Sequence, residues 1–218
     1  MGATTTAAAL ADNALTTLED TKNMLGIAED DADPQRDAVI AMLINSASSW
    51  VERMTGRTLG KRTYLQQYDA IGAQELVLRQ WPILAVEYVL DTQAGAEIPA
   101  EEYDINTGGD IGILYNDGGW PLRGHRGGLA YDIITPMRCL EVKYTAGYVL
   151  PKDAAEDDPC TLPADLQAVV WGVVMQEFNI LQNGAAGLSA FSISDVSWTF
   201  DKEPRQGWLD TIGCYTRL

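Results

Sequence analysis

The side chains best suited to catalysis are few and scattered in this sequence. Its one histidine, His125, lies in the glycine-rich run Gly124-His125-Arg126-Gly127, and no serine or cysteine near it belongs to a recognisable nucleophile motif. Nucleophilic catalysis needs a nucleophile and a base within hydrogen-bond reach of each other. A lone histidine among glycines is typical of a solvated loop residue, so the sequence predicts no catalytic residue and no enzyme.

Metal ligands are equally sparse. Cys139, Cys160 and Cys214 lack the Cys-x-x-Cys spacing that zinc sites and redox pairs use. The acidic run Glu29-Asp30-Asp31-Ala32-Asp33 does not follow the order of a calcium-binding loop. We therefore expect no metal site, no cofactor and three reduced thiols.

The stretch Gly56-Arg57-Thr58-Leu59-Gly60-Lys61-Arg62 invites comparison with a phosphate-binding P-loop. A P-loop has four residues between its glycines, Ser or Thr after its lysine, and a strand before it. This stretch has three residues between its glycines, an arginine after the lysine, and a helical pattern before it. The comparison fails, so we expect no nucleotide binding and interpret Gly56 as the end of a helix.

Four cations nevertheless concentrate around that stretch: Arg53, Arg57, Lys61 and Arg62. Two interpretations stay open at this point. The cations compensate the dipole at the carboxyl end of a helix, or they contact an acidic neighbouring subunit.

Charge limits the classes of partner. The 218-residue chain has 31 acidic and 15 basic residues, a formal net charge of −16. Such a surface repels the phosphate backbone that supplies most of the affinity for nucleic acid, so tight DNA binding is not expected. An acidic wall would let DNA pass only as cargo that does not stick to it. No apolar run approaches the roughly 20 residues of a membrane span, and no membrane partner is expected.

The pattern of apolar residues indicates an α+β fold. Residues 1–14 are small and predict a flexible leader, and a folded domain follows over 15–182. Capping signals and apolar residues at steps of three and four predict one short and two long helices, at 16–26, 34–56 and 163–182. Asp33 and Pro34 mark the start of the second helix, whose apolar face includes Ile44.

Between the long helices the period changes to two, which predicts an inserted antiparallel β subdomain over residues 60–148. Residues 116–136 are rich in glycine and predict a long loop or an irregular hairpin. The candidate strands are Tyr64–Tyr68, Glu75–Leu78, Val86–Leu90, Tyr103–Ile105, Ile111–Leu114 and Leu140–Tyr148.

An extended tail over residues 183–218 completes the chain. Its apolar residues are Trp198, Phe200, Trp208, Leu209 and Ile212, on segments too short to form a core of their own. Interface cores are enriched in tryptophan, so we expect this tail to dock on a partner. The alternative is that it folds back over the third helix.

Three motifs together resemble the gp6-like head-tail connector (adaptor) family of tailed bacteriophages and prophages. They are the helix running into Thr55-Gly56-Arg57, the strand Tyr144-Thr145-Ala146-Gly147-Tyr148 and the helix start Leu162-Pro163-Ala164-Asp165-Leu166. The resemblance covers most of the chain. It implies a small helical bundle that carries an inserted antiparallel β region.

The resemblance also implies a structural role in the virion. About twelve copies would form a ring beneath the portal protein and join the DNA-filled head to the tail, with assembly in the bacterial cytoplasm. The partners would be the portal, other copies of the chain and a downstream stopper or tail protein. The tail aromatics would dock on the portal or a neighbouring subunit, and Arg53, Arg57, Lys61 and Arg62 would contact that neighbour.

Two alternatives remain at this stage. The chain is another tail-junction protein, such as a stopper or a tail terminator, or it is an enzyme with an unrecognised site in the loop over residues 116–126. Stoppers and terminators tend to be mostly β, whereas this sequence predicts two long helices.

Overall fold

The computed structural model describes residues 9–28, 31–69, 71–106, 111–122, 124–126, 134–136, 138–182, 190–193, 196–199 and 204–216. The chain divides into two compact units, a helical unit of residues 1–58 and 149–218 and a β unit of residues 59–148. The helices are α1 (Leu18–Met24), α2 (Pro34–Thr55), α3 (Ala164–Gln182) and α4 (Gln206–Gly213). The mixture of helices and antiparallel sheets confirms the predicted α+β class.

The strands are numbered along the chain. They are β1 (Arg62–Asp69), β2 (Glu75–Val77), β3 (Ile83–Asp91), β4 (Ala96–Glu97), β5 (Asp104–Ile105), β6 (Ile113–Tyr115), β7 (Gly124–Arg126), β8 (Ile134–Pro136), β9 (Arg138–Ala146), β10 (Ala190–Ile193) and β11 (Val196–Thr199).

Helix α2 has clear boundaries in the sequence. The Asp33 carboxylate accepts hydrogen bonds from the backbone N–H groups of Gln35 and Arg36, and Pro34 occupies the first turn. At the other end Gly56 adopts a left-handed conformation with φ of 68°. A residue with a side chain would be strained there, which explains the glycine.

Helix α1 begins at Leu18, two residues later than the predicted helix over 16–26. The cap is Thr17, whose hydroxyl accepts the Asp20 N–H at 3.0 Å. Thr16 is buried instead and accepts a hydrogen bond from the Trp171 indole N–H at 2.8 Å. Two adjacent threonines offered the same cap, and packing against α3 selected between them.

The core of the helical unit lies between α2 and α3. Both helices turn aliphatic side chains toward each other, with Phe178 near the end of α3. The buried residues are Ile40, Leu43, Ile44, Ala47 and Val51 from α2 and Leu166, Val169, Val170, Val174 and Phe178 from α3.

Part of the predicted flexible leader is held against α2. The Asn45 side chain accepts the Ala11 N–H at 2.8 Å, and the Ser48 hydroxyl accepts the Leu15 N–H at 3.0 Å. Ala14 and Leu15 are fully buried. Residues 9–14 therefore have partners on α2, whose polar side chains satisfy part of their backbone, and the flexible leader over residues 1–14 stays a prediction.

In the β unit a four-stranded antiparallel sheet has the order β1-β9-β3-β4, and a three-stranded sheet has the order β2-β6-β5. Strand β9 is central, and its residues alternate between buried and half-buried positions. Strands β7 and β8 form a hairpin within the predicted 116–136 loop. The core of this unit includes Leu78, Ile83, Val89, Leu114, Leu140, Val142 and Tyr144.

The backbone conformation at the end of β9 explains why residue 147 is a glycine. Gly147 has a φ of 109°, and a Cβ on it would lie 2.6 Å from the Gly60 carbonyl oxygen. Backbone hydrogen bonds from Lys61 to Tyr148 and from Tyr148 to Leu59, each 2.8 Å, hold these segments together. Only glycine allows the chain to leave the strand so close to another backbone.

Replacing Ile44 with alanine should test the α2–α3 core. Ile44 is fully buried, so Ile44→Ala should lower the free energy of unfolding by about 2–5 kcal/mol through lost burial and a residual cavity. Met42 lies on the same helix but is exposed, so Met42→Ala should change it by less than about 0.5 kcal/mol. Urea denaturation followed by circular dichroism measures both, and equal losses would show that α2 buries a different face.

Candidate functional site

Helix α4 packs on its own helical unit. It contacts both α2 and α3, and Ile212 is only 2% exposed. The indole of Trp208 lies on α3 at Gly172, where a Cβ would come within 2.7 Å of the ring atom Cζ2. Gly172 therefore provides the space into which Trp208 fits.

Polar contacts fix both ends of α4. The Arg205 guanidinium lies 5.4 Å from the centre of the Trp208 ring, a cation–π distance. Beyond the helix, the Tyr215 hydroxyl is 2.9 Å from both carboxylate oxygens of Asp165, at the start of α3. The tail from residue 204 to 216 is thus attached at several points.

A groove of about 290 Å³ lies between α2, α3 and the start of α4. Leu43, Trp50, Val173, Pro204 and Trp208 make most of its wall apolar. Arg53 and Glu177 add a charge of each sign. The groove has the mixed apolar and charged character of a contact surface.

The structure describes the burial of only some of the residues that the sequence predicted to dock on a partner. Ile212 is buried within the chain, and Trp208 and Leu209 are half-buried, so for α4 the structure shows the alternative in which the tail folds back. For Trp198 the structure describes only the backbone, paired with Phe191 in the β10–β11 hairpin. Phe200 lies outside the described residues.

The predicted basic cluster is divided. Arg53 is exposed on α2, whereas Arg57 is only 4% exposed and does not lie on a surface. Lys61 and Arg62 are exposed and belong to the β unit, next to and within β1. Proximity in sequence suggested one cluster, but the fold assigns its members to two units.

A cation that the sequence analysis missed lies beside the other end of β1. The Arg79 guanidinium is 5.2 Å from the centre of the Tyr68 ring and donates to the Gln67 carbonyl at 3.4 Å. Arg79 stands alone in the sequence, so no local pattern indicated it.

A hydrogen-bonded tyrosine cluster lies inside the β unit. The hydroxyls of Tyr68 and Tyr144 both donate to Oε1 of Gln66, at 2.7 and 2.8 Å. Burial, with the neighbouring Tyr68 hydroxyl, raises the pKa of Tyr144 far above its ordinary value. Tyr144 therefore stays neutral and acts as a packed, hydrogen-bonded core residue.

The structure can be examined for the reactive, metal-binding and membrane-spanning features that the sequence analysis considered. For His125 the structure describes only the backbone, in β7. Within the described ranges, no three His, Cys, Asp or Glu side chains are grouped so that they could hold a metal ion. No helix in the same part of the chain has the length and apolar character needed to cross a membrane.

A family model and several solved structures match this chain. The family model for head completion proteins matches residues 14–117, just under half of the chain. No curated protein matches.

Two solved structures share the fold over 98% of this chain and 95% of theirs. One is a chain from the neck of an empty gene transfer agent particle computed with C6 symmetry, with 16% identity and a TM-score of 0.55. The other comes from the virion of a native gene transfer agent particle, with 14% identity and a TM-score of 0.53. At these identities the likeness concerns the fold.

Adding one methyl group at Gly172 should test whether α4 packs on α3 through Trp208. Gly172→Ala should lower the free energy of unfolding by about 1–3 kcal/mol, because the new Cβ overlaps Trp208 and forces α4 outward. Tryptophan fluorescence should shift to longer wavelength in the same variant.

Gly207 offers a matched control on α4. A Cβ there meets no atom within 4 Å, so Gly207→Ala should be neutral or stabilising by up to about 1 kcal/mol through helix propensity. If the Gly172→Ala and Gly207→Ala variants had the same melting temperature, Trp208 would not pack against Gly172.

Proposed function

We propose that this chain, a structural protein of the phage head-tail junction, is the adaptor that forms a ring beneath the portal and joins the DNA-filled head to the tail. The family match and the shared fold confirm the coarser prediction, a connector-type phage protein. The adaptor role is the proposal.

One observation carries it: the full-length fold is shared with a chain from a particle neck. The long helices α2 and α3, 22 and 19 residues, support the adaptor over a stopper or terminator, which are expected to be mostly β. The neck structure was computed with sixfold symmetry, and a ring of about twelve copies is compatible with such symmetry.

The function requires assembly only, and no bond is made or broken. Head-to-tail contacts between two unlike faces of each copy close a ring when the rotation between copies fits. The net charge of −16 gives a lumen that repels DNA phosphates, so DNA passes without being bound tightly. The protein would act in the virion after assembly in the host cytoplasm.

The proposed partners are the portal on one side and a stopper or tail protein on the other. For portal docking, Trp198 and Phe200 stay candidates. Trp208 and Leu209 are half-buried on α4, so only the exposed part of each side chain is open to a partner. Ile212 is buried and supports the fold of α4 rather than a contact.

Native mass spectrometry with and without portal protein tests this function. We expect the free protein to be a monomer or a loose oligomer, because like charges oppose self-association at low salt. With portal added, a ring of about twelve copies should form on it, because binding sites arranged in a circle raise the local concentration of subunits. A protein that forms no ring on portal and binds a different tail component would contradict the proposal.

A further inference from the structure

The four-stranded sheet of the β unit has two unlike edges. Among the described residues, β1 pairs only with β9, and β3 has β4 on its outer side only at Leu90 and Asp91. Along residues 62–69 at one edge and 83–88 at the other, the outer side of the sheet thus has no strand partner within that part of the chain. A strand edge of this kind is a template for pairing with another chain.

Strand β1 is long and regular enough to pair with another strand. It is 8 residues long, contains no proline, and pairs regularly with β9 up to Tyr68. Leu65, in its middle, is 59% exposed, and Leu84 at the other edge is 42% exposed. Because β3 has two register irregularities, contacts at its edge would depend on side chains as well as backbone.

The β1 edge is basic. Lys61 and Arg62 are exposed at its start, and Arg79 lies beside Gln67 and Tyr68 near its end. Asp69 is the one acidic residue of the strand. In a chain with twice as many acidic as basic residues, such an edge is unusual.

The opposite edge is acidic. Glu87 on β3, Glu97 on β4 and the neighbouring Glu101 and Glu102 are all exposed. Glu87 pairs with Lys143 at 2.6 Å. Glu97 and Glu101 lie near enough to Tyr103 that, together with its burial, they raise the pKa of its hydroxyl.

We infer that the β1 edge of one copy docks against the β3–β4 edge of a second copy of this chain, so that the sheet continues from subunit to subunit. The inference rests on the proposed ring and specifies how it closes. Two basic edges or two acidic edges would repel each other, so symmetric pairing is disfavoured. Two unlike edges instead give a head-to-tail contact, which generates a ring.

Both strands run antiparallel to β9, so β1 and β3 run in the same direction within one sheet. Continuation of the sheet would place β1 parallel to β3 of the next copy. The end of β1 near Arg79 would then lie beside the end of β3 near Glu87 and Glu97. Arg79 would therefore face the acidic residues of the next copy, whereas Lys61 and Arg62 would lie beside the start of β3.

Charge reversal tests the contact on portal by native mass spectrometry. Reversing the basic edge (Arg62→Glu with Arg79→Glu) or the acidic edge (Glu97→Lys with Glu101→Lys) should reduce ring formation by at least about tenfold, because like charges then face each other. The quadruple variant should recover most of it, because both edges have changed sign. Lys152→Glu, a charge reversal in the helical unit, should leave it unchanged, and thermal melts check that each variant folds.

Crosslinking identifies the partner directly. With the exposed thiols removed by Cys160→Ser and Cys214→Ser, a short bismaleimide should join Leu65→Cys to Leu84→Cys of the next copy and give a ladder of covalent multimers. The ladder should need both cysteines in the chain. Dimers from Leu65→Cys alone, or a crosslink from it to portal, would overturn the inference by showing a different occupant.

The two proposals fail in different ways. Rings on portal that show neither the crosslink nor sensitivity to charge reversal would overturn the edge contact and leave the adaptor function intact. Wild-type protein that forms no ring on portal would overturn both.

Discussion

The packing of α2 against α3 is the contact on which the helical unit depends. Ile40 and Ile44 on one helix and Val170 and Val174 on the other are all but fully buried. Residues 9–16 then attach along α2 and α3 through Asn45, Ser48 and Trp171. At the other end of the chain, α4 attaches through Trp208 and Ile212. Segments too short to fold alone thus gain structure from one preformed helix pair.

The β unit depends in a similar way on one central strand. Strand β9 is paired on both sides and carries Leu140, Val142 and Tyr144 into the core, so both of its edges are used. The strands beside it become the borders of the sheet. Any growth of the sheet must occur at those borders, and their side chains decide which partner is accepted. Segregation of basic and acidic residues to opposite borders makes the unit directional.

The sequence predicted the elements that are determined by local signals. Asp33-Pro34 and Gly56 define α2 because caps and a left-handed glycine act within one turn of the helix. The alternation in β9 was equally clear, since one face of that strand is buried. Among the short strands, β5 lies within the predicted Tyr103–Ile105 and β6 overlaps the predicted Ile111–Leu114. Strand β4 was not predicted, because two residues carry too little periodicity.

Features that depend on distant residues could not be predicted from the sequence. Trp208 can pack on α3 because residue 172, far away in the chain, lacks a side chain. Arg57 and Arg62 look alike in sequence, yet the fold buries one and exposes the other. Arg79 joins the basic edge only because the chain returns to Tyr68. Surface character is set by topology, which brings together residues that are far apart in the sequence.

A strongly acidic chain can still form an ordered assembly, because repulsion from its net charge acts over a long range and its local contacts act only when two surfaces touch. At physiological ionic strength the Debye length is about 8 Å, so repulsion between whole subunits is largely screened beyond the contact zone. Charges that meet directly at a sheet edge are screened less, and their sign then decides whether two copies fit. At low ionic strength, where the Debye length is longer, the net charge of −16 opposes contact between free copies. In the proposed ring, the complementary edges would then determine the order of the copies that portal brings within contact distance.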